Sequence, residues 1–239
     1  MIFILSDLII FLFLFHKNKV GLDIMNINNF KVTQYIYAPI HSIVSKPRQF
    51  ITAALSVYAS SLTGDFVETG VFRGGTSIIM ARVLRDLAPE KKLFACDSFQ
   101  GLPRIQKEDK PNKNCKRCNI GFVGQFSSSR KNFESYVQSE KLNNVKVIEG
   151  FYHVTLPPPS LQQISFLRLD GDIYNSTMTA LEQLFPLVVP NGAIYIDDYG
   201  SYFGCRNAVD TFISTNRINT TLKHVIEPNG KIEAVWFLK

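Results

Sequence analysis

Short apolar runs alternate with helical patterns along most of the chain. Runs at Asp65–Thr69 and at residues 92–99 predict two strands, and apolar positions three and four residues apart predict a helix over residues 74–87 between them. The same order continues downstream. It predicts strands at Val145–Glu149, 165–170 and 193–197, and helices at 127–141, 177–187 and 204–215.

The C-terminal residues predict a hairpin. Pro228-Asn229-Gly230 separates two short runs at residues 224–227 and 231–237, and Asn-Gly between such runs favours a tight turn. Five strands, most of them followed by helices, together with this hairpin predict an α/β fold. We expect a Rossmann-like sheet, mostly parallel with an antiparallel C-terminal hairpin, and helices on both faces.

The first 62 residues are less regular. Residues 1–15 are almost wholly apolar, but a bilayer span needs roughly 20 apolar residues, and a basic start and a clear cleavage site are both missing. We therefore expect residues 1–20 to form a membrane anchor or degenerate signal, a helix packed on the protein, or a hydrophobic tail at the start of a fragment. Residues 21–62 are interpreted as a helical cap, with a helix over 48–62, and residues 63–239 as one α/β domain.

Composition narrows the class of protein. The 239 residues are 46% hydrophobic and 19% charged, which excludes a disordered, collagen-like or coiled-coil chain. A net charge of +6 is modest, and without a helix-turn-helix or RNP motif we expect no nucleic-acid partner. Cys115 and Cys118 form a single C-x2-C pair. We expect free thiols, with a local disulfide or a weak metal or redox pair as the alternatives.

Candidate chemistry follows the strands, because ligands of parallel sheets bind at the carboxyl ends of strands. The first strand leads into Gly70 and Gly74-Gly75, a spacing that matches neither G-x-G-x-x-G nor a P-loop. The second strand reaches Asp97, 22 residues after Gly75, near the interval at which an acid accepts hydrogen bonds from a ribose. Turn and acid together indicate a nucleoside-containing cofactor, either a dinucleotide or S-adenosylmethionine.

Acidic residues follow the fourth and fifth strands. Asp170 and Asp172 come after one, and Asp197 and Asp198 come after the other. Carboxylates gathered at one edge of a sheet repel each other unless a cation offsets them, and hard oxygen ligands suit Mg2+. This pattern favours a cation-dependent transferase over a nicotinamide-dependent dehydrogenase.

Five segments in this order resemble the macrocin O-methyltransferase family, a metal-dependent branch of the class I S-adenosylmethionine methyltransferases. They are residues 64–75 (GDFVETGVFRGG), 97–103 (DSFQGLP), 149–157 (EGFYHVTLP), 167–177 (LRLDGDIYNST), and 196–200 (IDDYG) with 204–210 (GCRNAVD). The resemblance implies a methyltransferase domain over residues 63–239. Its expected reaction is transfer of a methyl group to a hydroxyl of a sugar or another polar natural product.

The resemblance also implies roles for individual residues. It places Mg2+ on Asp170, Asp197 and Asp198, and it makes Asp172 the base that takes the hydroxyl proton. His153 is the second candidate for the base. Contacts to S-adenosylmethionine are implied for Glu68, Thr69, Gly70, Gly75, Asp97, Ser98, Gly150 and Phe151.

Further expectations concern the acceptor and the cell. Tyr174 and Arg206 are candidates for the acceptor pocket, and residues 112–118 form either part of a lid or a solvated loop. Relatives form oligomers, so a homo-oligomer is expected, in the cytoplasm or anchored to a membrane through residues 1–15. The alternative functions are a non-catalytic binding protein with a methyltransferase fold and a nicotinamide-dependent oxidoreductase.

Overall fold

A seven-stranded sheet organises the protein. The computed structural model describes residues 32–36, 42–111 and 119–239. The strands are β1 (Asp65–Thr69), β2 (Leu93–Asp97), β3 (Val145–Glu149), β4 (Ile164–Leu169), β5 (Val188–Ile196), β6 (Lys223–Ile226) and β7 (Ile232–Leu238). Their order is β3-β2-β1-β4-β5-β7-β6, with β1 to β5 parallel and β7 antiparallel to both its neighbours. This confirms the predicted sheet.

Helices cover both faces of the sheet. They are α1 (Lys46–Ser60), α2 (Gly75–Leu87), α3 (Arg130–Ser139), α4 (Tyr152–Thr155), α5 (Tyr174–Leu184) and α6 (Phe203–Thr215). Because neighbouring strand residues point to opposite faces, Phe66 and Phe166 pack with α1 and α2, whereas Val67 and Leu167 pack with α5 and α6. The prediction of helices on both faces is confirmed.

Several boundaries differ from the sequence prediction by a few residues, and at the starts of β5 and α5 distant residues explain the difference. Strand β5 begins at Val188, before the predicted residue 193, because Val188 pairs with Ile164 of β4 and Lys239 pairs with the residues that follow. The Lys239 N–H donates to the Gly192 carbonyl, and its carbonyl accepts from the Asn191 N–H. Helix α5 begins at Tyr174, before the predicted residue 177. The short helix α4 was not predicted at all.

Asp109, in a 3-10 turn at Lys107–Asp109, explains the start of α5. Its buried carboxylate accepts a hydrogen bond of 2.6 Å from the Tyr174 N–H, the first residue of the helix. An acceptor at that position satisfies one of the amides that a helix N-terminus leaves free. A residue far away in sequence therefore fixes where α5 begins.

Only some of the predictions for the N-terminal residues concern residues that the structure describes. Helix α1 matches the helix expected over 48–62, and its Phe50 and Leu55 share one core with Phe66 and Phe166 of the sheet. Residues 1–31 and 112–118 lie outside the described residues, and with them the apolar N-terminal run, the lid candidate, Cys115 and Cys118. Within the described ranges, every helix is too short or too polar to cross a bilayer. The domain boundary at residue 62 stays a prediction.

The carboxyl ends of β1 and β4 touch at Gly70. The Asp170 N–H donates to the Thr69 carbonyl at 2.8 Å. Gly70 has φ +89°, and a Cβ built on it would lie 1.7 Å from the Asp170 carbonyl oxygen. Only glycine fits this position, because any side chain would push the two strand ends apart.

We predict that Gly70→Ala is much more damaging than Gly230→Ala. Gly230 has a similar φ of +82° but open space around it, so an alanine there is expected to cost only about 1 kcal/mol of backbone strain. The same change at Gly70 adds a backbone clash, and overpacking of this kind costs roughly 1–3 kcal/mol more. Urea unfolding of both variants measures the difference, and equal losses would contradict this account of the strand ends.

Candidate active site

One large cavity lies over the carboxyl edge of the sheet. Its volume is about 610 Å³, which is within the usual size of small-molecule sites. The wall is formed by the turn after β1, the end of β2, helix α4, the residues after β4 and β5, the segment that leads into α1, and the β6–β7 hairpin. The topology thus brings both predicted groups of site residues, the glycine turn and the acids, to a single cavity.

Asp97 braces the glycine turn. One carboxylate oxygen accepts from the backbone N–H groups of Val71 and Phe72, at 2.7 and 2.9 Å, and the other accepts from the Phe99 N–H at 2.7 Å. A carboxylate oxygen has two lone pairs, so Asp97 Oδ1 keeps the capacity to accept one further hydrogen bond. The residue lines the cavity where a nucleoside is expected.

The eight residues with an expected cofactor contact differ in their position relative to the cavity. Five of them line the cavity: Gly70, Gly75, Asp97, Ser98 and Phe151. Glu68 and Thr69 are fully buried beneath it, where the Glu68 carboxylate accepts a hydrogen bond from Ser77. Gly150 lies outside the cavity wall, beside Thr155 of α4.

Three carboxylates converge in the cavity. One oxygen each from Asp170, Asp172 and Asp198 lies within 4.8 Å of the others. Asp172 has a left-handed backbone, with φ 56°, and its N–H donates to an Asp198 carboxylate oxygen at 3.3 Å. The left-handed turn folds Asp172 back towards the end of β5 and so completes the group. We call these three residues the carboxylate cluster.

Electrostatics inside the carboxylate cluster are unfavourable without a cation. Burial, followed by repulsion from Asp170, raises the pKa of Asp172 well above its ordinary value. Burial, followed by repulsion from Asp172, does the same to the pKa of Asp198, and burial also raises the pKa of Asp170. Three converging oxygen donors with excess negative charge fit a hard divalent cation such as Mg2+.

Asp197 is held apart from the carboxylate cluster by two arginines. Its Oδ1 accepts from Arg168 Nη2 at 2.7 Å, and its Oδ2 accepts from Arg48 Nη1 at 2.6 Å. The resemblance grouped Asp170, Asp197 and Asp198 as metal ligands. The structure brings the first and third together, and it places Asp172 beside them where Asp197 was expected.

Arg168 is a site residue that sequence reasoning missed. Its fully buried guanidinium donates to Glu68 Oε1 at 3.0 Å and to Asp170 Oδ2 at 2.7 Å, besides its bond to Asp197. A buried charge is tolerated only when it is paired and hydrogen-bonded. One feature of the sequence could have indicated Arg168. It lies two residues before Asp170, and residues two apart along a strand point to the same face of the sheet.

The other sequence candidates lie at the edge of the cavity or behind it. His153 lines the cavity and stacks on Phe151, with ring centroids 6.2 Å apart. Tyr174 and Arg206 stand outside the wall. Arg206 donates to the carbonyls of Tyr199 and Gly200, and so supports the chain that follows β5.

Comparisons with known proteins identify a family and relatives of this chain. A sequence model described as macrocin-O-methyltransferase (TylF) matches residues 30–237. The chain is 37% identical over 163 residues to the 8-demethyl-8-(2,3-dimethoxy-alpha-L-rhamnosyl)-tetracenomycin-C 4'-O-methyltransferase of Streptomyces olivaceus, which covers 66% of this chain and 60% of the relative. It is 33% identical over 162 residues to the demethyldecarbamoylnovobiocin O-methyltransferase of Streptomyces niveus, covering 65% of this chain and 60% of the relative. The matches thus span about three fifths of these relatives' length.

Solved structures share the fold. The O-methyltransferase NovP superposes with a TM-score of 0.70 at 26% identity, over 84% of this chain and 83% of that chain. The O-methyltransferase TomG from Streptomyces achromogenes, solved in complex with SAM, superposes with a TM-score of 0.57 over 88% of both chains. At 14% identity the second likeness concerns the fold alone.

We predict that Asp198→Asn stabilises the metal-free protein at alkaline pH. The raised pKa of Asp198 means that the folded state holds this proton more tightly than the unfolded chain. Stability is therefore lost as pH rises from about 4, the ordinary aspartate pKa, through the raised pKa. Asparagine cannot ionise, so the variant should unfold at a higher temperature than the wild type at pH 8, and the gain should vanish near pH 4.

Calorimetry with a chelator present measures both proteins across this pH range. Asp86→Asn is the matched control, because Asp86 lies exposed on the surface beside Arg85. An Asp198→Asn protein that loses the same stability at pH 8 as at pH 4 would contradict the electrostatic argument.

Proposed function

The chain belongs to the macrocin O-methyltransferase family, and we propose that it transfers a methyl group from S-adenosylmethionine to a hydroxyl of a sugar or another polar natural product, with Mg2+ as the metal. The observation that carries this proposal is the carboxylate cluster, which shares one cavity with the glycine turn after β1. The names of the two curated relatives, a rhamnosyl tetracenomycin and a novobiocin methyltransferase, support an acceptor of this class.

S-adenosylmethionine is assigned to the side of the cavity formed by the turn after β1 and the end of β2. Asp97 would accept a hydrogen bond from a ribose hydroxyl with the Oδ1 lone pair that its backbone partners leave free. Phe151 offers an aromatic face for the adenine, and Gly70 with Gly75 lets the methionine part approach the backbone closely. The SAM complex of TomG, a protein of the same fold, supports this choice of cofactor.

Mg2+ is assigned to Asp170 and Asp198, which belong both to the geometric cluster and to the ligand set that the resemblance implies. The third ligand is Asp197 if the resemblance holds, and this requires Arg48 to release it. It is Asp172 if the present geometry persists. When bound, the metal would hold the acceptor oxygen and lower the pKa of its hydroxyl group.

Methyl transfer makes one bond and breaks one. The acceptor oxygen bonds to the methyl carbon while the carbon–sulfur bond of the sulfonium breaks, which leaves the neutral thioether S-adenosylhomocysteine. When Asp197 serves as the third ligand, the hydroxyl proton would pass to Asp172, whose carboxylate lines the cavity beside Asp170 and Asp198. The strand ends orient the two reactants, because they place the cofactor side of the cavity next to its acceptor side.

The resemblance also implies an oligomeric state and a location in the cell, and both remain predictions, as the reaction does. A homo-oligomer is expected because relatives form oligomers, and a cytoplasmic location is expected unless residues 1–15 act as an anchor.

Ligand binding tests the choice of cofactor. Calorimetry on the purified protein should show binding of S-adenosylhomocysteine and none of NAD, because the spacing of Gly70 and Gly74 departs from the dinucleotide motif and an oxidoreductase has no use for the carboxylate cluster. Binding of NAD alone would favour the oxidoreductase. Binding of S-adenosylhomocysteine without turnover of any hydroxyl acceptor would favour the non-catalytic alternative.

Substitution of the acids tests the metal and the base. Asp170→Asn and Asp197→Asn should abolish turnover while the affinity for S-adenosylhomocysteine stays nearly unchanged, since neither residue is assigned to the cofactor. Asp172→Asn should slow the chemical step by roughly 10²–10⁴-fold, as loss of a general base does, and should leave Mn2+ affinity intact.

Single-turnover rates and Mn2+ binding by electron paramagnetic resonance separate these roles. Asp86→Asn again serves as the surface control. Full activity of Asp170→Asn and Asp197→Asn in chelator-treated buffer would reject the metal. A parallel loss of rate and Mn2+ affinity in Asp172→Asn would make Asp172 a ligand rather than the base.

A further inference from the structure

We propose that Arg48 and Glu227 form a hydroxyl-reading pair that binds the acceptor through two neighbouring hydroxyl groups of a sugar. This inference rests on the proposed function and assigns the acceptor side of the same cavity. Both residues line the cavity, yet they come from distant parts of the chain, Arg48 from α1 and Glu227 from the turn after β6.

The order of the strands places this pair on the side of the cavity away from the cofactor. Along the carboxyl edge, β2 and β1 carry the proposed cofactor residues, β4 and β5 carry the acids, and β7 and β6 follow on the far side. Strand β6 runs in the same direction as β5, so Glu227 emerges at the same edge. An acceptor that meets the cofactor at the acids can therefore reach this third region of the same cavity.

Hydrogen bonds hold the pair in a fixed orientation. Arg48 Nη1 donates to Asp197 Oδ2 at 2.6 Å, and Arg48 Nε lies 3.3 Å from Glu227 Oε1. Ser45 completes the arrangement, because its hydroxyl donates to the same Glu227 oxygen at 2.5 Å. The two side chains are only 16% and 10% exposed. Both groups are therefore largely removed from water and preorganised before any acceptor arrives.

Each residue keeps hydrogen-bonding capacity for a ligand. A guanidinium has five N–H donors, and among the residues that the structure describes Arg48 Nη2 has no partner, nor has Glu227 Oε2. A donor beside an acceptor suits hydroxyl groups, which accept from the one and donate to the other. Two adjacent hydroxyls of a sugar ring present this pattern, whereas a hydrocarbon would leave both buried groups unpaired at a large cost.

The pair is also linked to the reaction centre. Arg48 holds Asp197, which is the neighbour of Asp198 in the carboxylate cluster. A sugar that binds to Arg48 is consequently placed next to the acids on which the hydroxyl chemistry depends. Arg48 thus serves as a specificity-determining residue that joins acceptor recognition to the metal side of the cavity.

Sugar binding to the protein loaded with S-adenosylhomocysteine and Mg2+ tests this inference. The probe is methyl α-L-rhamnopyranoside, a neutral glycoside that carries adjacent ring hydroxyls, together with its monodeoxy analogues. Saturation-transfer NMR gives their dissociation constants. Glu227→Gln and Arg48→Lys should each weaken binding of the probe at least tenfold, while the affinity for S-adenosylhomocysteine and the unfolding temperature change little.

The deoxy analogues give a readout that a purely structural role would not move. Removing the hydroxyl that Glu227 reads should weaken binding to the wild type but cause no further loss in Glu227→Gln, because the interaction is already absent. Exposed residues provide the matched controls, Glu182→Gln on α5 and Arg85→Lys on α2, and both should bind the probe like the wild type.

Several results would overturn the inference. They are unchanged probe binding in both variants, an undiminished effect of deoxygenation in Glu227→Gln, and a wild type that binds S-adenosylhomocysteine but none of the glycosides. In those cases the proposed cofactor stands. Failure of the wild type to bind S-adenosylhomocysteine would instead reject the proposed function, and the inference with it.

Discussion

The buried guanidinium of Arg168 holds together the strand ends on which the cavity is built. It joins Glu68 near the end of β1, Asp170 after β4 and Asp197 after β5, and these carboxylates are buried or largely buried. In such surroundings an unpaired carboxylate is costly, and removal of one partner of a buried pair leaves the other charge uncompensated. The three strand ends therefore keep their spacing only while this one cation stands between them.

Charge is distributed unevenly around that centre. Arg168 and Arg48 together satisfy Asp197, and Arg48 also lies beside Glu227. No cation of the described residues reaches Asp172 or Asp198 within ion-pair distance, so the electrostatic strain of the site is concentrated at the carboxylate cluster. A cation that binds between these carboxylates relieves their mutual repulsion, and this relief favours its binding. Asp170 belongs to both groups of acids, because it pairs with Arg168 and is also part of the carboxylate cluster.

Local pattern predicted the fold well and the contacts of the site only in part. The bounds of β1 and β3 were correct because short runs of strand-forming residues define them, and the topology of a parallel sheet sufficed to gather the acids at one edge. The starts of β5 and α5 depend on Lys239 and Asp109, which are far away in sequence. Whether Asp172 or Asp197 joins the carboxylate cluster depends on which acid the arginines take, and residue spacing does not encode that choice.

Asp109 has a consequence for the range of molecules that the cavity can accept. Its carboxylate is wedged between the N-termini of α5 and α6, so tightly that a Cβ on Gly204 would lie 1.9 Å from it. The neighbouring wall residue Leu102 is tied by backbone hydrogen bonds to Gln125 and Gly124. The segment from Leu102 to Asp109, which includes part of the cavity wall, is therefore held at both ends by hydrogen bonds. Relatives that accept other substrates are then expected to differ at the opposite rim of the cavity, where the β6–β7 hairpin meets the segment that leads into α1.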